Sequence, residues 1–403
     1  MPDLFSPFTL KGVTLRNRIV MSPMTMYSSQ DGQMGDYHVS YLGARASGGF
    51  GLIFPEQIAI TPDGRTTTEC AGIWSDDQIE GHRRVTDIVK RFGAVPAIQL
   101  GHTGRKGSEV APHRSYPGYP GNSQLPADHP NGWQCVAPSP IPYGGDHHWP
   151  VHALTVDEIK ALHRRYADAA RRALDAGYQW LEMHYAHGYL GAEFFSPIAN
   201  RRTDEYGGSL ENRARFHLEA LDAVRAVWPE EYPLTMRLGA DDLNPAGTQF
   251  EDAVTAIGWM KDHGLDLADI SLGFNTDDMV DPPMGREAFM VEMTNRVRTE
   301  VGIPVGTSWN LGIPETADRV IRDELVDLVF LGRPALSNPH WPVWAARELG
   351  HAAPFDLVPD DWRWWLQNFR GYDASIGLPP AKEAAPRLRL SLIHISEPTR
   401  RYA

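Results

Sequence analysis

His184, His187 and Tyr189 fall within six residues of one another, where an apolar run gives way to a loop. Two adjacent imidazoles can both donate hydrogen bonds to one carbonyl or nitro oxygen, polarising it as an oxyanion hole does. A neighbouring tyrosine can deliver a proton to carbon as a general acid. The plainer readings are two histidines that satisfy backbone carbonyls, or half of a metal site. No carboxylate adjoins the pair as a third ligand, so zinc is the weaker functional reading and no metal is expected.

A site of this kind needs elements that bring distant residues together. Short apolar strand candidates alternate with helical patterns along the chain, which points to βα units and a parallel sheet. The strand candidates are residues 18–22, 51–57, 95–100, 180–184, 234–238, 267–271, 304–307 and 328–331. The clearest helix candidates are 76–91, 156–176, 210–227, 250–263 and 286–301, and Thr155 with Glu158 forms a capping box before the second. Eight such units favour a closed (β/α)8 TIM barrel over an open sheet. Residues 4–16 read as an N-terminal hairpin that plugs the barrel floor. Residues 104–154 are rich in Pro, Gly and His and lack helical periodicity. A loop excursion of that length after strand three is expected to cap the catalytic face. Residues 1–372 then make one barrel domain, with an aromatic tail over 355–380.

Barrels carry catalytic groups at the C-terminal ends of their strands. Those ends hold Ser22 to Tyr27, Glu56 and Gln57, Gln99 to His102, His184 to Tyr189, Arg237, Thr307 and Ser308, and Gly332 and Arg333. The clustering of polar groups there says more than any one residue. Taken alone, Arg237 would more often be a surface ion-pair residue, Tyr27 a packing residue and Gly332-Arg333 a common loop dipeptide.

Composition removes other classes. The chain has 403 residues, 42% hydrophobic, with a formal net charge of −13. That balance argues against a nucleic-acid-binding surface. No apolar run approaches the roughly 18 residues of a membrane span. Met1 to Arg18 is mixed and contains Asp3, unlike a secretion signal, so a cytoplasmic location is expected. Two cysteines, Cys70 and Cys135, exclude a disulfide framework and an iron–sulfur cluster. Residues 391–403 break the style of the preceding chain and resemble adapter-derived read-through, so they carry no functional weight.

The run His184-Tyr-Ala-His-Gly-Tyr-Leu190 continues into Phe194-Phe-Ser-Pro-Ile-Ala-Asn-Arg-Arg-Thr-Asp-Glu-Tyr-Gly-Gly-Ser-Leu-Glu-Asn-Arg213. Together they closely resemble the Old Yellow Enzyme family of ene-reductases. Leu4-Phe-Ser-Pro-Phe8, Leu15-Arg-Asn-Arg-Ile-Val-Met-Ser-Pro-Met24, Ile73-Trp-Ser-Asp-Asp77, Gln99-Leu-Gly-His-Thr-Gly-Arg-Lys106 and Phe330-Leu-Gly-Arg333 match as well. The likeness covers roughly residues 4–372. His-x-x-His, rather than His-x-x-Asn, and Trp365 with Arg370 point to the thermophilic-like or xenobiotic-reductase branch.

This resemblance implies flavin mononucleotide (FMN) as cofactor, NADPH or NADH as reductant, and an activated alkene as substrate. It places Ser22, Pro23, Met24 and Thr25 along the flavin and Gln99 at its pyrimidine side. Arg237 falls by N1 and O2, and Gly306, Thr307, Ser308, Gly332 and Arg333 at the phosphate. It gives His184 and His187 the substrate oxygen, Tyr27 the pocket wall and Tyr189 the proton. It also implies a homodimer or homotetramer in which Trp365 or Arg370 reaches a neighbouring subunit's site. Two residues depart from the branch. Thr25 stands where cysteine is usual, which implies an altered redox poise. Gln57 replaces a small residue and would either bond the flavin or crowd it. Two rivals are a flavin-free barrel lyase and a catalytically silent flavin carrier. The larger dienoyl-CoA reductases need a cysteine cluster and a further domain that this chain lacks.

Overall fold

The computed structural model describes residues 1–369 and residue 377. Eight parallel strands close into a barrel: β1 (Ile19–Met21), β2 (Leu52–Ile53), β3 (Val95–Gly101), β4 (Trp180–Tyr185), β5 (Leu234–Gly239), β6 (Leu267–Ser271), β7 (Val305–Thr307) and β8 (Leu328–Leu331). Each pairs with its neighbour, and the ring shuts where Val329 to Leu331 of β8 register with Ile19 to Met21 of β1. Helices follow in turn: α1 (Asp36–Ser47), α2 (Ile79–Arg91), α3 (Val156–Asp175), α4 (Leu210–Arg225), α5 (Phe250–Asp262), α6 (Val291–Val301), α7 (Pro314–Arg322) and α8 (Trp341–Glu348).

Alternate side chains along a strand point to opposite faces, which sorts each strand into an outer and an inner set. Leu181, Met183 and Tyr185 of β4 join the large core between strands and helices, as do Met236, Ile270 and Val329. The inward set is layered. Its lowest layer is apolar: Ala97, Trp180, Leu267 and Leu328 pack with Phe8, Val13 and Leu15. Those last three belong to the antiparallel hairpin Phe8–Leu10 and Val13–Leu15, which therefore plugs the barrel floor. Two residues further along, the inward positions become Gln99, Glu182 and Asp269, all buried. One more step brings Ser22, His184, Arg237 and Ser271 to the mouth. The barrel is a packed core that grows more polar toward the end where its chemistry lies.

Three boundaries differ from the sequence reading. Strand two breaks after Ile53 and a separate strand, Gln57–Ala59, pairs with β3. Pro55 sits in the gap, and proline cannot donate to a ladder. The expected helix from 286 begins only at Val291, because Ala288 has a left-handed φ of 52° that helical backbone excludes. Helix α2 opens with a tight 3-10 turn over Asp76–Gln78. The capping box holds: Glu158 N donates to Thr155 Oγ1 at 3.3 Å and Thr155 N to Glu158 Oε2 at 2.7 Å.

The stretch 104–154 contains one 3-10 turn, Gly104–Lys106, and a two-stranded pair, Val136–Ala137 with His152–Ala153. Buried Arg105 ties it down, donating to the carbonyls of Ile141, Pro142 and Asn275 at 2.8–3.3 Å. Beyond α8 a short helix, α9 (Asp360–Gln367), carries no buried residue.

Candidate active site

A cavity of about 1200 Å3 opens at the C-terminal ends of the strands. Ser22, Pro23, Met24, His187, Arg237, Ser308, Gly332 and Arg333 line it, which brings together residues more than 300 positions apart in sequence. Arg237 is its electrostatic centre. Nη1 donates to Ser22 Oγ at 3.0 Å and Nη2 to Ser308 Oγ at 2.6 Å, while Nε lies 3.3 Å from Asp269 Oδ2. The guanidinium is thus fixed in plane from three strands.

The imidazoles stand beside it. The His184 and His187 rings are 5.0 Å apart and nearly perpendicular, and the Tyr189 ring lies 5.1 Å from His184. His187 Nε2 is 2.8 Å from Ser271 Oγ, whereas buried His184 Nδ1 has no hydrogen-bond partner among the described residues. Burial holds both imidazoles well below the usual histidine range, and the positive charge of Arg237 pushes the same way. Both are neutral, so each ring keeps one N–H donor and one acceptor. Burial raises the phenols of Tyr27 and Tyr189 above the ordinary tyrosine range, which keeps both protonated.

The turn carrying these groups is made possible by its backbone. His187 and Gly188 both adopt left-handed φ, 62° and 70°. A Cβ on Gly188 would lie 2.2 Å from the Phe274 carbonyl oxygen and 2.8 Å from Lys106 Nζ, so only glycine fits. Lys106 Nζ donates to the carbonyls of His187 and Phe274 at 3.1 and 3.0 Å and rests 4.1 Å from the Tyr143 ring centroid. Burial brings its ammonium down to about 8. Lys106 stands in the Gln99–Lys106 motif, whose sequence carries no sign of this role in holding the turn.

Other expected residues are placed differently. Gly306 and Thr307 lie within β7 and do not line the cavity: a Cβ on Gly306 would meet Phe330 at 2.4 Å, and Thr307 Oγ1 donates to Ile270 O at 2.9 Å. Gln99 Nε2 is committed to Glu182 Oε1 at 2.8 Å. Gln57 pairs in register with Gln99 and is buried, its Nε2 without a partner among the described residues. Thr25 is half-buried, and Tyr27 has a left-handed φ of 52°. Trp365 is 71% exposed on α9 and lines a separate cavity of about 460 Å3. Asn338 and Trp344 border both cavities. Arg370 lies outside the described residues, as does the segment 391–403.

Two features escaped the sequence. Trp309 and Asn310 take left-handed φ of 75° and 53° in succession at the cavity wall. Asn310 Nδ2 donates to the carbonyls of Met284 and Arg286, both at 2.7 Å, joining the loops after β6 and β7. Asn310 is a residue type that tolerates αL, but Trp309 gave no such signal. The second is the pair of buried carboxyls Glu182 and Asp269, each an acid in the middle of an apolar strand, which is itself a flag.

The residues present fit a flavin phosphate ester. The cavity is large and part polar, and Arg237, held by Ser22 and Ser308, lines it together with Arg333. At Gly332 a Cβ would meet only Met24, no closer than 3.5 Å, so its backbone is open to a ligand. A barrel with this mouth belongs to the class of flavin-dependent oxidoreductases. Residues 3–351 match the model of the NADH:flavin oxidoreductase / NADH oxidase family, and the chain belongs to that family, the one that includes Old Yellow Enzyme. It is 42% identical over 349 residues to an NADPH dehydrogenase of Geobacillus thermodenitrificans, covering 86% of this chain and 94% of that protein. Morphinone reductase in complex with tetrahydroNAD superposes with a TM-score of 0.69 at 30% identity, over 86% of this chain and 90% of that one. The old yellow enzyme homologue of Zymomonas mobilis gives 0.70 at 26% identity, over 94% and 97%. Membership makes FMN the cofactor and NAD(P)H the reductant. No helix among the described residues is long and apolar enough to cross a membrane.

Proposed function

We propose that this chain reduces the C=C bond of α,β-unsaturated carbonyl or nitro compounds. The observation that carries the reading is the neutral pair His184 and His187, their rings 5.0 Å apart, the first buried with its Nδ1 unpartnered and the second half-buried and lining the cavity. Neutral imidazole donors polarise a substrate oxygen without themselves delivering its proton. That makes the β-carbon electrophilic and leaves protonation of the α-carbon to another group. Tyr189 is that group: its phenol stays protonated at neutral pH and lies against His184. Tyr27 forms the opposing wall.

FMN, recharged by NADPH or NADH, supplies the hydride when bound. Ser22, Pro23, Met24, Thr25 and Gln57 would hold its ring, with Gln99 beneath and Arg237 at the pyrimidine edge. A cation fixed there stabilises negative charge and so tunes the potential. Ser308, Gly332 and Arg333 would take the phosphate, with Gly306 and Thr307 shaping the strand that presents Ser308. The excursion 104–154 closes over the substrate. The assembly is a homodimer or homotetramer in the cytoplasm, with Trp365 or Arg370 approaching the partner's site. Residues 1–372 form the single functional domain.

Anaerobic stopped-flow mixing of NADPH-reduced protein with an enone tests the reading. Flavin reoxidation matched by one saturated product per flavin is the expected result. Reduced protein that no enone, maleimide or nitroalkene reoxidises would instead mark a flavin carrier.

A further inference from the structure

Behind Arg237, on the side away from the cavity, the barrel interior holds two carboxyl groups and no second cation among the described residues. Glu182 and Asp269 are both fully buried. They sit on strands flanking β5, where Arg237 registers with Asp269 on one side and His184 on the other. Asp269 Oδ2 is 3.3 Å from Arg237 Nε, yet neither of its oxygens has a hydrogen-bond partner among the described residues. Glu182 Oε1 accepts from Gln99, and Oε2 is unpartnered. The other inward groups nearby are Thr235 on β5 and Ser22 just beyond the end of β1, neither of which titrates near neutrality, and His184, held neutral.

We propose that Glu182 and Asp269 form a proton store that offsets negative charge arriving at the cavity face of Arg237. The inference rests on the reading above that places the flavin ring beside Arg237. Two carboxylates and one guanidinium sealed from water cannot all be charged at little cost, because like charges in a dry interior disfavour joint ionisation. Burial pushes both carboxyls up, and Arg237 pulls them down. The pair titrates as one unit. Before reduction Arg237 balances one carboxylate, and the second carboxyl is held largely as the acid. Hydride from NADPH, which departs as NADP+, would bring one negative charge to the cavity face of Arg237 with no proton drawn from solvent. Arg237 is then shared between that charge and the carboxylate behind it. One proton moves from water to the remaining carboxylate, an O–H bond forms, and the buried layer regains neutrality.

The test is the count of protons taken from weakly buffered solution, by indicator dye, as NADPH reduces the FMN-loaded protein. The wild type should take up between about a half and one proton per flavin near pH 7.5, and the Glu182→Gln, Asp269→Asn double variant none. Wild-type uptake indistinguishable from zero between pH 6 and 9, or equal uptake in the double variant, overturns the proposal. Should the variant fail to fold, the reduced-minus-oxidised infrared spectrum of the wild type decides: a gained carboxylic-acid C=O band supports the store, and a flat carboxyl region refutes it. Arg237→Lys separates the two ideas. If its FMN affinity matches that of the wild type, the placement of the flavin fails, whatever the carboxyl pair does.

Discussion

On one side of the barrel mouth, Arg237 brings a fixed cation to Ser22 and Ser308; on the other, His184 and His187 bring rings that burial and the same arginine hold neutral. The two sides are adjacent, since Arg237 and His184 register across neighbouring strands. One arginine thereby does two jobs. It offers charge to whatever binds beside it, and it adds to the burial that keeps the imidazoles from acquiring any. The difference shows how a barrel can hold an anion-stabilising site and a neutral hydrogen-bonding site side by side: burial keeps the imidazoles neutral, and the neighbouring charge reinforces it.

Removing that charge should have the largest effect. Arg237→Ala takes away the donor to two serines and leaves Asp269 and Glu182 buried without a counter-ion. Breaking a buried pair in this way costs about 3–5 kcal/mol, and FMN retention should fall with it. Flavin occupancy after purification and the denaturation midpoint report the two consequences separately. If both match the wild type, the charged side of the comparison has been misassigned.

His184→Ala and His187→Ala strike the neutral side. Each should remove about 2–4 kcal/mol of transition-state stabilisation, roughly 30- to 1000-fold in the rate of enone reduction. Flavin reduction by NADPH should change much less. A variant that slows both half-reactions equally would mean that the histidines hold the flavin rather than the substrate oxygen.

The pH dependence sharpens the same contrast. The folded-state pKa of each histidine is depressed below its unfolded value near 6.5, so below that pH the unfolded chain binds protons the native one does not. Their contribution to stability is complete above about pH 6.5 and falls as pH drops, by up to about 1.4 kcal/mol per pH unit for each ring. Over the same range enone reduction should stay level, because the native rings do not titrate. Wild type and His184→Gln compared in denaturant at pH 5 and 7 isolate the effect, since buried His82, His163 and His217 are common to both. Equal losses in the two proteins would show that His184 is charged in the native state.

Much of this was legible beforehand, and the limits are instructive. The barrel was readable because each βα unit announces itself locally, by apolar runs and caps such as Thr155 with Glu158. The grouping of Ser22, Arg237, Ser308 and Gly332 was readable because strand ends in a closed barrel must converge. Strand two was misjudged through Pro55, whose missing N–H breaks a run that hydropathy alone joins. The resemblance expects Gly306, Thr307 and Ser308 at the phosphate; of the three only Ser308 lines the cavity, because the side-chain position of Gly306 faces the Phe330 ring and Thr307 Oγ1 donates to the Ile270 carbonyl. Lys106 was illegible as a clamp on the His187 turn, since its partners are carbonyls 81 and 168 residues away.

The smallest expected effect lies furthest from the mouth. Trp362, Trp364, Trp365 and Phe369 are 42, 58, 71 and 38% exposed, a concentration of aromatic surface that a lone barrel has no use for. The groove lined by Trp362 and Trp365 shares Asn338 and Trp344 with the large cavity, so a second copy of the chain seated there would touch the rim of the site. A cut for testing this must spare Leu357 and Val358, which are buried in the main core. Truncation after Pro359 therefore suits better than one closer to α8. If α9 forms the proposed interface, that cut should leave a monomer by light scattering and shift the enone KM, while FMN occupancy stays unchanged. Trp365→Ala alone should shift KM by a factor of a few, about 0.5–1.5 kcal/mol, the scale of one lost aromatic contact. Full-length protein that scatters as a monomer would end the interface idea, and an unaltered KM in Trp365→Ala would confine that residue to the surface.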